Sequence, residues 1–246
     1  MLRDRVYVVT GAGRRAGIGF AVARRLLDDG ARVLVHTYGV DEDVLAALGG
    51  AGPALRQVDA DLGEPDAPGR VVAAAVDAFG SIDGVVAVHA RDSGLALEDV
   101  TAGELDRTWA VNARAGVLLT QALAARRPPG PGGRVVLFTS GQHREPMPRE
   151  LPYAISKGAI HQMTPTLADA VAERGITVNA VNPGPVDTGW PSDELRERLR
   201  GAFPAGRWGR PEDIAPVVAW LLSDEAAWVT GHVLDAEGGF RRRAGA

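Results

Sequence analysis

The chain has 246 residues, 46% of them hydrophobic and 24% charged, which is enough to bury a substantial core and favours one large domain over two. A net charge of −4 and a pI near 5.8 argue against a nucleic-acid-binding protein. The absence of cysteine excludes disulfides, thiolate metal sites and cysteine nucleophiles, and is compatible with a cytoplasmic protein.

The segment Met1–Thr10 leads directly into a strand-like run and lacks the apolar core and cleavage site of a signal peptide. No apolar run reaches the roughly 18 residues that a membrane span requires. We therefore expect neither a membrane nor a nucleic acid as partner, and a cytoplasmic location.

Short, almost wholly apolar runs alternate with amphipathic stretches along the chain. In chain order the predicted elements are strand Val6–Val9, helix Gly17–Asp29, strand Arg32–Val35, helix Asp41–Leu48, strand Ala54–Val58, helix Pro68–Phe79, strand Gly84–Val88, helix Glu104–Ala125, strand Arg134–Phe138, helix Tyr153–Glu173, strand Thr177–Val181, helix Pro211–Ser223 and strand His232–Leu234. This alternation is typical of a parallel sheet covered on both faces. It predicts a single-domain α/β Rossmann fold, doubly wound, with about seven strands. Arg241–Ala246 is predicted to be a frayed basic tail.

A glycine-rich segment, Thr10-Gly11-Ala12-Gly13-Arg14-Arg15-Ala16-Gly17-Ile18-Gly19, follows the first strand and opens the first helix. Glycines there let the backbone approach a pyrophosphate, which then sits on the helix N-terminus. A tight strand–helix turn without a ligand is the alternative interpretation, but the position after the first strand favours dinucleotide binding.

The end of the second strand decides between the two nicotinamide dinucleotides. NAD binding usually needs an acid there for the ribose 2′-hydroxyl, and the first acid after His36 is Asp41, which is too late. Arg14 and Arg15 lie in the glycine loop, and guanidinium pairs well with phosphate. We therefore predict NADP(H); solvated surface arginines are the alternative. His36 is either a phosphate contact or, as we favour, a structural strand-end histidine.

Lys157 is the only lysine among 26 arginines. It lies four residues after Tyr153, so the two share one face of a helix. An ammonium beside a phenol is expected to lower the tyrosine pKa towards neutrality, which suits a proton donor or acceptor. A chance surface lysine is the alternative interpretation.

These residues and several ordered motifs resemble the short-chain dehydrogenase/reductase family, and within it the 3-oxoacyl-[acyl-carrier-protein] reductase branch. The Tyr-x3-Lys pair is Tyr153 and Lys157, the serine thirteen residues earlier is Ser140, and the helix asparagine is Asn112. The resemblance implies a catalytic tetrad in which Tyr153 donates the proton, Ser140 binds the carbonyl oxygen, Lys157 lowers the tyrosine pKa, and Asn112 holds a water.

The same resemblance extends to the nucleotide contacts, through Asp61-Leu62 and the turn Asn182–Thr188. No metal is predicted. Together with Arg14, Arg15 and His36, the predicted NADP(H) contacts are Gly11, Gly17, Ile18, Gly19, Asp61, Leu62, His89, Ala90, Tyr153, Lys157, Pro183, Gly184, Val186 and Thr188.

Two departures from the family pattern stand out. The glycine loop is two residues longer, which places Arg14 and Arg15 near its tip. The family's Asn-Asn-Ala-Gly is replaced by Ala87-Val88-His89-Ala90. His89 either supplies a bracing hydrogen bond, which we favour, or faces the active site.

The leading functional hypothesis is NADPH-dependent reduction of a ketone, such as a 3-oxoacyl thioester, to an alcohol. A tailoring enzyme of secondary metabolism that acts on a cyclic ketone, alcohol or imine is the second hypothesis. A non-catalytic NADP(H)-binding regulator is the third, and the intact tetrad makes it the weakest.

The resemblance also implies a homotetramer or homodimer, and a substrate lid at about 188–208 that contains a short charged helix, Ser192–Arg200.

Overall fold

Seven parallel strands form the sheet of the computed structural model, which describes residues 2–39 and 43–242. In the sheet their order is β3-β2-β1-β4-β5-β6-β7, and their bounds are β1 Val6–Thr10, β2 Arg32–Thr37, β3 Leu55–Asp59, β4 Gly84–Ala87, β5 Gly133–Phe138, β6 Ile176–Asn182 and β7 Val233–Asp235. Val9 pairs with Val35 of β2 on one side and with Val86 of β4 on the other. The strand order reverses between β1 and β4, so a crevice opens at their carboxyl ends. The predicted doubly wound parallel sheet is confirmed.

Helices cover both faces of this sheet. They are α1 Ile18–Asp28, α2 Val44–Ala47, α3 Ala67–Phe79, α4 Ala102–Trp109, α5 Ala115–Arg126, α6 Leu151–Val171, α7 Asp193–Arg200 and α8 Pro211–Leu222. Successive strand residues point to opposite faces, so Tyr7 and Val9 pack with α1 and α8, whereas Val6 and Val8 pack with α3, α5 and α6. Two apolar layers thus hold the strand ends rigidly at the crevice. Among the described helices, none is both long enough and apolar enough to cross a membrane.

The long helix predicted over Glu104–Ala125 is interrupted, which corrects the prediction. α4 and α5 are joined by a π-helical turn over Ala110–Arg114. A π turn accommodates an extra residue in a helix and is frequent at functional sites. The hydrophobic periodicity of the sequence does not reveal the π turn, because α4, the turn and α5 follow one another without a break in helical structure.

Two other predictions fall partly outside the described residues. Of the predicted helix Asp41–Leu48, Asp41 and Glu42 lie outside them, and α2 occupies only Val44–Ala47. Of the predicted frayed tail, residues 243–246 lie outside them. Arg242 is not frayed, because it forms an ion pair with Glu237.

Candidate active site

A cleft of about 920 Å³ lies at the carboxyl ends of the strands, between the glycine loop after β1 and the turn after β6. Asn112 and Lys157 lie behind its wall, each 2% exposed. Arg15 lies on the surface nearby, with Nη2 3.5 Å from the carbonyl of Asp43. The predicted residues that line the cleft are Gly11, Arg14, Gly17, Ile18, Gly19, His36, Asp61, Leu62, His89, Ala90, Ser140, Tyr153, Pro183, Gly184, Val186 and Thr188.

The side chains of Ser140 and Tyr153 both line the cleft, and Ser140 is close enough to influence the pKa of the tyrosine. Ser140 follows β5 in an extended conformation and opens a 3₁₀ turn over Gly141–His143. Tyr153 lies in the first turn of α6, which begins at Leu151 and has Pro152 next, where a missing amide hydrogen costs nothing. The hydroxyls of Ser140 and Tyr153, on one side of the cleft, are able to donate hydrogen bonds to a single oxygen atom of a bound molecule, as in an oxyanion site.

The pKa of Tyr153 is raised to about 12, which is opposite to the expectation that Lys157 lowers it. Burial of the phenol is the largest cause, and the hydrogen bond with Ser140 opposes it. The negative charges of Asp92 and Glu150 raise the pKa further. The phenol is therefore fully protonated at neutral pH, which suits a proton donor.

Lys157 lies beneath Tyr153, with Nζ 5.5 Å from the centroid of the tyrosine ring. Nζ donates a hydrogen bond to the carbonyl of Phe138 at 2.7 Å, and the Lys157 carbonyl accepts one from the hydroxyl of Thr139 at 2.8 Å. Burial lowers the pKa of Lys157 to about 7. The side chain is thus held at the end of β5 and changes charge near neutrality, and it is no chance surface lysine.

The lowered pKa of Lys157 predicts a specific pH dependence of stability. The folded lysine loses its proton near pH 7 and an ordinary lysine near pH 10.5, so the unfolded chain binds more protons in that interval. The free energy of unfolding of the wild type, relative to Lys157→Met, therefore rises with pH in that range, by at most about 1.4 kcal/mol per pH unit. Urea denaturation of both proteins at several pH values measures this. If the difference in free energy of unfolding between the wild type and Lys157→Met does not change with pH, the lowered pKa of Lys157 is contradicted.

Asn112 lies in the π turn and ties it to neighbouring elements. Its Oδ1 accepts from the backbone amide of Arg91 at 2.7 Å, and its Nδ2 donates to the Arg91 carbonyl at 2.9 Å and to Oγ of Ser156 at 2.8 Å. Both amide hydrogens are thus used within the protein, so the side chain braces the loop after β4 against α6. A water held here, as the resemblance implies, would have to donate to the second lone pair of Oδ1, because both amide hydrogens are used.

His89 replaces the lost family amides as a brace. Its Nε2 lies 2.9 Å from the carbonyl of Val111, and its Nδ1 lies 2.6 Å from Oγ1 of Thr10. Since a carbonyl only accepts, Nε2 carries the proton and Nδ1 accepts from the threonine hydroxyl. Burial is the largest cause that lowers the pKa of His89 to about 3, and the charges that His36 and Lys157 carry when protonated lower it further. The neutral ring therefore joins the end of β1 to the π turn.

His36 braces the opposite side of the glycine loop. Its ring is 2% exposed, with Nε2 2.8 Å from the carbonyl of Ala60 and Nδ1 3.4 Å from the amide nitrogen of Gly11. Burial lowers its pKa, so the ring is neutral and both nitrogens have partners within the protein. The geometry agrees with a structural strand-end histidine.

The glycine loop packs so closely against the neighbouring backbone that side chains at Gly11 and Gly19 would not fit. Gly11 has φ +68°, and a Cβ there would lie 2.7 Å from the backbone of His89. A Cβ on Gly19 would lie 2.5 Å from the carbonyl oxygen of Gly11. The loop after Gly11 reaches α1 with Arg14 and Arg15 exposed, and Gly17 caps the helix without a side-chain hydrogen bond. The first turn of α1 consequently presents bare backbone to the cleft.

Asp61 and Leu62 form the far end of the cleft, after β3. Leu62 is buried, and Asp61 accepts hydrogen bonds from Arg107 and from the amide of Gly63. Burial would raise the pKa of Asp61, but these hydrogen bonds outweigh it and hold the pKa below its usual value. Arg107 was not predicted as a site residue; its position on α4 carries no motif that the sequence alone reveals.

The turn after β6 forms the opposite wall. Asn182 Oδ1 accepts from the amide of Gly184 at 3.1 Å, and Gly184 has φ +62°. Val186 is buried in a bridge with Gly209, and Thr188 faces the cleft. This turn is held at three places: by the side chain of Asn182, by the left-handed backbone of Gly184, and by the bridge between Val186 and Gly209.

Aromatic side chains from the lid segment cover this wall. The rings of Trp190 and Trp208 lie 5.6 Å apart, and Phe203 lies 5.5 Å from Trp208 and 4.8 Å from Phe240. Trp190, Trp208 and Phe240 line the cleft, whereas Phe203 packs behind them. The aromatic side chains therefore both line the cleft and pack the lid onto the body of the protein.

Comparison with known proteins gives one consistent result. A family model described as enoyl-(acyl carrier protein) reductase matches residues 11–241. The uncharacterized oxidoreductase YjdA of Bacillus subtilis is 35% identical over 246 residues, which is 98% of each chain. The chain belongs to the short-chain dehydrogenase/reductase family. It is an oxidoreductase of that family, as the ordered motifs indicated.

Two solved structures of this family cover 97% of this chain and 98% of their own. One is the promiscuous reductase LugOII, which catalyses keto-reduction at C1 during lugdunomycin biosynthesis, with 35% identity and a TM-score of 0.86. The other is a blue fluorescent protein from a metagenomic library in complex with NADPH, with 33% identity and a TM-score of 0.87. A nicotinamide cofactor suits the cleft, because the glycine loop and the N-terminal turn of α1 line it, and a helix N-terminus favours a phosphate.

Proposed function

We propose that this short-chain dehydrogenase/reductase reduces a ketone to an alcohol with NADPH. One observation carries the proposal: the side chains of Ser140 and Tyr153 line the same cleft as the glycine loop. Two donors that converge on one point suit a carbonyl oxygen, which gains charge during reduction. An isolated carbon–carbon double bond offers no such acceptor.

The residues of this chain then have separate tasks. A bound NADPH supplies the hydride to the carbonyl carbon. Ser140 holds the carbonyl oxygen by a hydrogen bond, and the Tyr153 hydroxyl transfers its proton to that oxygen. Lys157, about half of it protonated at neutral pH because its pKa is about 7, stabilises the phenolate that remains when it carries its charge. Asn112 and His89 keep the surrounding backbone in place through the π turn.

Purified protein should oxidise NADPH when a ketone is added. We expect turnover with an acetoacetyl thioester or a small ring ketone, followed as the loss of NADPH absorbance. Cofactor binding without turnover across a broad carbonyl panel would instead support a non-catalytic regulator.

The preference for NADPH rests on the cationic glycine loop. Arg14 lines the cleft, and β2 ends at Thr37 and is followed by Tyr38, with no acid there for a ribose hydroxyl. Arg14→Ser should weaken NADPH binding about tenfold, since a guanidinium–phosphate pair is worth on the order of 1.4 kcal/mol or more. NADH binding should be unchanged.

Titration of nicotinamide fluorescence measures both affinities. Arg70→Ser on α3 is the matched control, because it removes the same charge at an exposed helix position. Equal loss of NADPH and NADH binding, or no loss, would contradict a phosphate contact at Arg14.

A cyclic substrate is the second candidate, favoured by the aromatic wall of Trp190, Trp208 and Phe240. Flat rings pack well against such side chains. Comparing kcat/KM for an acetoacetyl thioester with that for 1-tetralone distinguishes the two. Activity on the ring ketone alone supports a tailoring role, and activity on the thioester alone supports an acyl substrate.

We also propose that the protein forms a homotetramer or homodimer in the cytoplasm. Large apolar side chains are exposed outside the cleft, including Trp109 on α4, Ile155 on α6 and Trp228 in a turn after α8. Light scattering coupled to size-exclusion chromatography measures the assembly, and a monomer at micromolar concentration would contradict it.

A further inference from the structure

The segment after β7 crosses the cleft and ends in an ion pair beside Ser140. Arg242 Nη1 donates to Oε2 of Glu237 at 2.8 Å, and Nη2 contacts the other carboxylate oxygen. The side chain of Arg242 is only 14% exposed and that of Glu237 only 8%. Charges so well shielded from water interact strongly, and separating one from the other is costly.

The guanidinium of Arg242 occupies the space in which a side chain at residue 141 would begin. A Cβ built on Gly141 would lie 2.2 Å from Nη2 of Arg242. Gly141 directly follows Ser140, and Arg242, Ser140 and Gly141 all line the cleft. The absence of a side chain at this position therefore lets the guanidinium pack on the Ser140 turn.

Glu237 connects the same ion pair to the opposite wall. Its Oε1 accepts from Nδ2 of Asn182 at 2.7 Å, and Asn182 holds the Gly184 amide. A Cβ on Gly184 would lie 2.8 Å from Cβ of Glu237, so the two residues are closely packed. One connected set of contacts thus joins the turn after β6 to the Ser140 turn across the cleft.

The segment itself is anchored, so Arg242 has a fixed base. The amide of Arg241 donates to the carbonyl of Ala202 at 2.9 Å, and Phe240 packs on Phe203. The guanidinium of Arg242 lies 5.3 Å from the centroid of the Phe240 ring, within the range of a cation–π interaction.

From these contacts we infer that Arg242, held by Glu237, is a positioning residue that fixes the Ser140 turn against the opposite wall of the cleft. The inference rests on the proposed role of Ser140 in ketone reduction. Arg242 acts through Gly141 rather than on the substrate, because its guanidinium is already paired with a buried carboxylate.

Arg242→Met, with Arg241→Met as matched control, tests this inference. The control removes the same charge from the adjacent, exposed position. For Arg242→Met we expect kcat to fall about tenfold, since small displacements of catalytic groups have effects of this size, with NADPH affinity unchanged. We expect faster hydrogen exchange at the amides of Arg144 and Glu145, which donate to the Gly141 carbonyl. Arg242→Lys should restore part of kcat.

A second variant approaches the same contact from the other side. Gly141→Ala adds one methyl group, which would displace the end of the Arg242 side chain. The methyl group should therefore cost less in the Arg242→Met background than in the wild type. Additive effects on kcat would overturn the inference.

The remaining outcomes are equally decisive. Wild-type kcat and wild-type exchange in Arg242→Met would overturn the inference, as would equal losses in the Arg241→Met control. A lower kcat with unchanged exchange would also overturn it, because the residue would then act directly on the substrate. If the wild type reduces no carbonyl compound, the proposed function fails, and the exchange rates alone decide whether Arg242 holds the turn.

Discussion

We expect Tyr153→Phe to lower kcat/KM for ketone reduction by about 1,000-fold, within the range of general acid catalysis. The substitution removes only the tyrosine hydroxyl, and both Tyr153 and Ser140 line the cleft. Phenylalanine keeps the ring, so the packing on Lys157 should persist. NADPH oxidation under steady-state conditions measures the loss, and nicotinamide fluorescence measures cofactor affinity, which should change little.

Tyr7→Phe is the matched control for this prediction. Tyr7 is fully buried in β1, and its hydroxyl donates to the carbonyl of Leu222 at 3.3 Å, away from the cleft. The control should reduce stability slightly and leave kcat/KM within about twofold of the wild type. If Tyr153→Phe retained wild-type turnover, Tyr153 would not be the acid.

We expect Gly11→Ala to destabilise the protein by about 3 kcal/mol and to abolish detectable NADPH binding. Its φ of +68° strains any side chain, and the added Cβ would lie 2.7 Å from the backbone of His89. Relief of this contact requires movement of the loop that would carry the pyrophosphate. Urea denaturation and nicotinamide fluorescence measure the two effects.

Gly80→Ala separates strain from contact. Gly80 has φ +80° at the end of α3, with nothing within 4 Å of an added Cβ. It should cost about 1 kcal/mol, from backbone strain alone, and leave NADPH binding unchanged. Equal costs for the two variants would show that the approach of Gly11 to His89 is unimportant.

The parallel sheet and the positions of three candidate site residues were predictable from the sequence because each depends on local pattern. Apolar strands such as Val6–Thr10 are buried on both faces and stand out between amphipathic helices. Ser140, Tyr153 and Lys157 follow from fixed spacings, and the fold brings the ends of β5 and α6 together.

Other features depend on contacts between distant parts of the chain. The π turn at Asn112 is set by hydrogen bonds to Arg91 and Ser156, which no helical periodicity encodes. The raised pKa of Tyr153 results from burial, whereas its spacing from Lys157 suggested the opposite direction. The pairing of Arg242 with Glu237 next to Gly141 also requires the folded chain.

His89 lies between these two cases, because part of its role was predictable from the sequence and part was not. The loss of the family asparagines at Ala87-Val88 pointed to His89 as a replacement brace, and its contacts with Thr10 and Val111 provide that brace. The partners themselves were not predictable, because they come from β1 and from the unpredicted π turn.

The central claim is that this cleft transfers a hydride from NADPH to a carbonyl carbon. The most direct test supplies NADPH carrying two deuterium atoms at nicotinamide C4, together with a ketone that the enzyme turns over, and examines the product alcohol by mass spectrometry. We predict one deuterium on the carbinol carbon of each product molecule. Product alcohol without deuterium, or consumption of NADPH without alcohol, would contradict the account.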